Sequence, residues 1–283
     1  DKLMYKNILK GIGLFTLIGF SFFYSEKVIT VIKEKDPIMI KLEEIKETKK
    51  ISSLNAVIEN NTIIPGICER VIDINKSYNN MKKIGMYSEN YLEYEISCNK
   101  DILENNYDKY VINGNKLTNN VSVVFLLKDD NLLESVASIG KKYNITLNFF
   151  INYKYMNENI SKVYKISKNN EIYNYGEDGN YTLEGLEIGN NIIERVTKRK
   201  AKYCYSSKDN PNTLELCSKK KMNTIRKEEI KEGLYVSVKN NLANGNIILI
   251  SLNDSNVNEL DNTINFILKK GFNVVGLSKL LSE

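Results

Sequence analysis

Histidine is absent from all 283 residues. Its absence excludes Ser-His and Cys-His nucleophile activation, a histidine general base and every metal site that needs an imidazole. Tryptophan is also absent, while Lys, Asn and Ile are heavily used. We read that as compositional bias and not as a functional signal. Cysteine is sparse, at Cys68, Cys98, Cys204 and Cys217, with no close pair of the kind that binds zinc. The net charge of +5 is modest and spread along the chain. It suits solubility, or weak attraction to an anionic surface, and argues against a dedicated nucleic-acid interface. Any enzyme built on this chain has to work with carboxylates, Lys, Tyr or Cys.

What is present is enough to fold. Hydrophobic residues make up 42% and charged residues 27% of the chain, a balance that permits a buried core. The length accommodates an α/β domain of roughly 150 residues with a smaller one beside it.

Residues Val121 to Tyr155 organise the rest. Val121 to Leu127 is an apolar run with the length and β-branching of a buried strand. Lys128 to Asn131 breaks it and can cap a helix, and Leu132, Leu133, Val136 and Ile139 follow at helical spacing. A second apolar run, Ile145 to Ile151, completes a βαβ unit with parallel strands and a right-handed crossover. A matching unit closes the chain: strand Asn246 to Ile250, helix Asn258 to Lys270, Gly271 as the cap, and strand Phe272 to Val275. The second half therefore reads as an α/β barrel or open sheet.

Four segments are expected: 1–25, 26–54, 55–120 and 121–283. Lys2, Lys6 and Lys10 precede the uncharged run Gly11 to Ser25. That run is short against the ~20 apolar residues of a typical span, but Ile8 and Leu9 extend it and Lys10 can snorkel. A cleaved signal peptide is the rival reading. No small-x-small cleavage pattern follows Tyr24, so an uncleaved anchor is expected, with the basic tip cytoplasmic and the C-terminal domain outside. Residues 26–54 read as a stalk that Asp36-Pro37 divides into two helices. Residues 55–120 read as a small α+β domain, with Asp73 capping a helix that Gly85 ends. Outside the membrane the cysteines can pair, and their spacing favours Cys68–Cys98 and Cys204–Cys217 over the other connectivities.

The strand rhythm of Val123-Val124-Phe125, the run Lys142-Tyr143-Asn144-Ile145-Thr146-Leu147-Asn148-Phe149-Phe150, the run Gly245 to Ser251 and the run Lys269 to Leu277 resemble the bacterial polysaccharide deacetylase family. Asn61 to Gly66 and Asp73 to Gly85 resemble the leader of a membrane-anchored branch. The resemblance implies an α/β fold: a distorted (β/α) barrel of polysaccharide-deacetylase type, preceded by a small α+β domain and an N-terminal transmembrane helix. In that family a metal ion assists removal of acetyl groups from cell-wall or chitin-type sugars. Every position that would carry this chemistry departs from the pattern. Leu126 and Leu127 stand where the family has its base and metal-binding aspartates. Tyr175 and Gly179 stand near its His-x-x-x-His pair, and Ser251 stands at its late histidine. No metal and no cofactor is therefore expected.

Other candidates carry two readings each. Tyr173, Tyr175, Tyr181, Tyr203 and Tyr205 either stack on sugar rings or pack the core. Asp129 and Asp130 are either a displaced acidic pair or a solvated helix cap. Lys198, Arg199, Lys200 and Lys202 either touch anionic wall polymers or form a solvated helix end. Asp178-Gly179-Asn180 lacks the spacing of a calcium loop and reads as a turn. The expectation is a membrane-anchored, extracellular, non-catalytic protein that binds cell-wall glycan or another envelope protein. A divergent hydrolase using carboxylates without metal is the alternative.

Overall fold

The structure, a computed structural model, describes residues 2–127 and 132–283. The elements follow in the order α1 (Lys2–Glu34), α2 (Pro37–Lys46), β1 (Val57–Glu59), β2 (Thr62–Ile64), β3 (Glu69–Ile72), α3 (Ile74–Ile84), β4 (Tyr94–Ser97), β5 (Tyr110–Val111) and β6 (Asn120–Leu127). They continue with α4 (Leu133–Tyr143), β7 (Asn148–Ile151), α5 (Tyr153–Glu158), α6 (Ile160–Ser167), β8 (Glu171–Asn174), α7 (Leu183–Thr197), β9 (Tyr203–Ser206) and α8 (Pro211–Lys219). The chain closes with β10 (Asn223–Arg226), α9 (Leu234–Asn241), β11 (Ile247–Ser251), α10 (Asp254–Lys269), β12 (Asn273–Val274) and α11 (Leu277–Leu280).

The chain divides into two units, one of residues 1–52 and 69–97, the other of residues 53–68 and 98–283. The expected domain 55–120 is therefore shared between them. β3, α3 and β4 fall in the first unit, whereas β2 and β5 join the sheet of the second. Local propensity held no information on which sheet each strand of this stretch would enter.

In the first unit, α1 runs unbroken from the apolar run into what reads as stalk, and its segment Ile12–Glu34 is long and apolar enough to cross a membrane. The large side chains from Ile12 to Tyr24 are exposed, Phe15 by 78%. The break comes at Asp36-Pro37. Asp36 caps α2, accepting from the Ile38 amide at 2.9 Å, and also accepts from Lys82 Nζ at 2.5 Å and Tyr78 Oη at 3.1 Å. The Lys82 ammonium, then the Ile38 amide, hold the Asp36 carboxyl below the usual carboxylate range. Asp73 caps α3 through the Lys76 amide at 2.9 Å, and Gly85 ends it in the left-handed region at φ 74°. Ile38, Leu42, Ile72 and Met81 form this unit's core.

The second unit holds two curved sheets, ordered β1-β2-β5-β10-β9 and β11-β6-β7-β8, with β12 added to β6. Every strand pair in them is parallel except β1 with β2. Alternation along each strand separates two cores. Val123, Phe125 and Leu127 of β6, with Phe149, Ile151, Ile172, Ile248 and Ile250, pack under the helices against Val136, Leu260 and Ile264. Val124 and Leu126, with Phe150, Tyr173, Ile225, Ile247 and Leu249, fill the interior enclosed by the sheets.

The interior is closed at the N-terminal ends of the strands by α11. Leu277, Leu280 and Leu281 enter it. Asn148 Oδ1 accepts from the Leu277 amide at 2.7 Å, Ser122 Oγ donates to Val275 O at 2.7 Å, and Glu171 Oε2 accepts from the Ser278 amide at 2.9 Å. Disulfides link Cys68 to Cys98 and Cys204 to Cys217.

Candidate functional site

In α/β barrels the chemistry gathers at the C-terminal ends of the strands, and the strand register places the singled-out residues there. Ser251 of β11 lies opposite Leu126 of β6, Leu126 opposite Phe150 of β7, and Phe150 opposite Tyr173 of β8. Leu126 points into the interior and is 5% exposed, whereas its neighbour Leu127 points outward into the helix-facing core. A pair of adjacent residues in extended backbone cannot both face the barrel lumen, so of the two only Leu126 faces it.

Tyr175 continues β8 into the interior. The loop after it turns back through Gly176, Asp178 and Gly179, all at positive φ, and is closed by backbone pairing of Glu177 with Asn180. Gly179 has φ +89°, and a Cβ there would sit 3.4 Å from Tyr175 Cε2. Tyr175 and Gly179 thus pack on each other, with the phenol ring filling the space between. The loop is pinned from below by Asn174, which accepts from the Gly176 amide at 2.8 Å and donates to Gly185 O and Asn190 Oδ1, each at 3.1 Å. Tyr181 Oη donates to Asn174 O and accepts from the Tyr205 amide, both at 2.9 Å. Asp178-Gly179-Asn180 is a turn.

The five tyrosines do converge, but not as a sugar platform. Tyr173, Tyr175, Tyr203 and Tyr205 belong to the interior core with Phe150, and Tyr181 packs under Cys204 and Leu186. Ring centroids lie 5.2 Å apart for Phe150–Tyr173, 5.3 Å for Tyr173–Tyr203 and 5.9 Å for Tyr175–Tyr205. None of the five is more than 8% exposed. Their faces are spent on one another, which corrects the stacking reading. Burial raises the hydroxyls of all five above the usual phenol range, so they stay neutral.

Phe150, which pattern reading placed in a strand without a role, is the centre of this packing. Lys227, just past β10, was not singled out. Its Nζ donates to Asn113 Oδ1 at 2.9 Å, and burial lowers its pKa. Asp129 and Asp130 lie outside the described residues. Lys198, Arg199, Lys200 and Lys202 follow α7 and are exposed, as a solvated end has them.

No family model matches the chain. The uncharacterized protein YlxY of Bacillus subtilis is 24% identical, over 90% of this chain and 86% of its own length. Among solved structures, the wild-type CE4-family pseudoenzyme of Bacillus anthracis superposes with a TM-score of 0.63 at 21% identity, covering 88% of this chain and 96% of that one. The chain has the CE4 carbohydrate-esterase fold. The likeness extends to PdaA of Bacillus subtilis, a family 4 carbohydrate esterase, with a TM-score of 0.53 at 16% identity over 63% of this chain and 87% of that one. It is the barrel of polysaccharide-deacetylase type that the strand rhythm implied. A metal in a CE4 barrel needs donor atoms, and the described residues at these positions do not fit one. Leu126 supplies no lone pair, Tyr175 is a neutral phenol, Gly179 has no side chain and Ser251 is a single hydroxyl. Among the described residues, no three Asp, Glu, Cys or His side chains converge as a ligand set.

Proposed function

We propose that this chain is a membrane-anchored envelope protein that keeps the CE4 fold without deacetylase chemistry and acts by binding. The observation that carries the reading is Leu126. It occupies the lumen-facing end of β6, packed in one core with Phe150, Tyr175 and Tyr205. Metal-assisted deacetylation needs an activated water and a base to take its proton. Leucine, phenylalanine and a neutral phenol provide neither. The existence of a CE4 pseudoenzyme with the same fold, in Bacillus anthracis, supports a lineage in which the barrel outlives its reaction.

With the tyrosines buried, binding falls to the outside of the barrel. The partner is cell-wall glycan or another envelope protein. The exposed apolar helix at the N-terminus supports anchoring, and the two disulfides support a location outside the cytoplasm. Purified protein is assayed for acetate release from acetylated wall glycans with added zinc, cobalt or manganese, and titrated with the same glycans by calorimetry. No release with measurable binding is expected. Metal-stimulated release that a chelator abolishes refutes the reading. Absence of both release and binding removes glycan and leaves the protein partner.

A further inference from the structure

The two disulfides differ in access. Cys204 and Cys217 are fully enclosed, beside Tyr181, Leu186 and Met222. Cys68 is 6% exposed, and Cys98 lies on the surface. Cys68 also lines a shallow cleft with Gly66, Asn99 and Asp101. Their places in the chain differ as well. Cys204–Cys217 joins β9 to the helix that follows it, within one unit. Cys68 is the last residue before the segment 69–97 and Cys98 the first after it. That segment belongs to the first unit, whereas both cysteines belong to the second. The bond therefore closes the base of an insertion, tying together the two points where the chain leaves one unit and returns.

We propose that Cys68–Cys98 is a thiol–disulfide exchange site whose substrate class is an external dithiol, and that its opening frees the base of the segment 69–97. The dithiol's first thiolate attacks Cys98 Sγ, the sulfur of the exposed residue. A mixed disulfide forms and the Cys68 thiolate leaves, taking a proton from water. The dithiol's second thiolate then attacks its own partner sulfur and expels the Cys98 thiolate, which is protonated in turn. The protein gains two electrons and two protons, and the dithiol becomes a disulfide. Exchange rates follow access to the attacked sulfur, so the enclosed Cys204–Cys217 bond stays intact.

Apart from the disulfide, short backbone pairs hold the base: Leu54 and Ile67 exchange hydrogen bonds of 2.9 and 2.8 Å, Ile51 and Arg70 exchange two of 2.9 Å, Lys50 pairs with Glu69 at 3.5 Å, and Asn99 donates to Asn55 Oδ1. Beyond the base, the segment keeps its own order through the β3–β4 ladder. Reduction therefore loosens the two exits without unfolding either unit.

The test uses the full chain in detergent micelles. Samples are exposed to graded dithiothreitol, quenched with iodoacetamide at timed intervals and mapped by mass spectrometry. Cys68 and Cys98 are expected to be alkylated faster than Cys204 and Cys217 by on the order of tenfold or more. Equal rates, or the reverse order, overturn the proposal. Hydrogen exchange on the selectively reduced chain reads the second half. Faster exchange confined to residues 53–56, 66–70 and 96–102 is expected. No change there, or a rise that also includes β6 and β7, overturns it.

Discussion

At the N-terminal ends of the barrel strands, Ser122, Asn148 and Glu171 face the interior, and each hydrogen-bonds the segment 275–278 that plugs it. Two to four residues further along the same strands, the same inward side carries Leu126, Phe150, Tyr173 and Tyr175. Both ends are filled, but by different means. The base is a network in which each buried polar atom has a directed partner, so a change at one member leaves another unsatisfied. The mouth is filled by apolar volume and ring edges, which tolerate exchange provided volume and polarity are kept. The comparison teaches how the two ends of one barrel divide the work. The C-terminal ends of these strands sit where packing alone is enough, while register and closure are set at the opposite end.

The sharpest way to break the comparison is to return a charge to the mouth. Leu126→Asp places a carboxylate in the interior core with no cationic partner from the residues packed there, and is expected to cost about 3–5 kcal/mol in urea unfolding. A cost under about 1 kcal/mol would show that the mouth admits water and is not packed as described. At the base, Asn148→Ala strands the Leu277 amide, which its Oδ1 now meets at 2.7 Å. A loss of about 2–3 kcal/mol is expected, with faster hydrogen exchange in α11 as the local signature.

Smaller effects sharpen the picture. Tyr181→Phe removes the hydroxyl that joins Asn174 O to the Tyr205 amide, for about 1–2 kcal/mol by thermal unfolding. Tyr175→Phe keeps the ring that packs on Gly179, and its hydroxyl takes part in none of the hydrogen bonds found among the described residues, so a change within about 0.5 kcal/mol is expected. A Tyr175 effect as large as that of Tyr181 would mean that the mouth, too, is held by a polar network. The last prediction concerns pH. Burial depresses the Lys227 ammonium below its ordinary 10.5. The unfolded chain therefore binds this proton more tightly than the folded one, and stability contributed by Lys227 rises with pH from the depressed folded value up to the unfolded one. Lys227→Met is expected to flatten that alkaline rise in urea midpoints measured between neutral pH and the ordinary lysine range, and an unchanged slope counts against burial as the cause.

Much of the architecture was legible because its signals are local. The two βαβ units follow from apolar runs whose length and spacing need only neighbouring residues to interpret. Asp73 and Gly85 delimit α3 because a carboxylate satisfies orphan amides and only a residue without Cβ turns easily into the left-handed region. The start of α7 at Leu183 was hidden, because Glu184, Gly185 and Gly189 dilute the apolar period and Gly189 is needed where a Cβ would lie 2.3 Å from Asn174 Nδ2. The short α11 was likewise unreadable, since four residues carry no period at all.

By itself the sequence determined which side chains are missing. Residue identity settles whether a donor exists, so the absence of histidine and the leucine at 126 need no coordinates. It also determined the parallel α/β layering, because strand and helix periods are properties of adjacent residues. Only the tertiary structure decided that Leu126 faces the lumen and Leu127 does not, that five tyrosines spread over 33 residues bury one another, and that residues 55–120 divide between two units. Those outcomes depend on which surfaces meet across large sequence separations, where hydrophobic burial is non-directional and the winning arrangement is set by the shape of the whole enclosure.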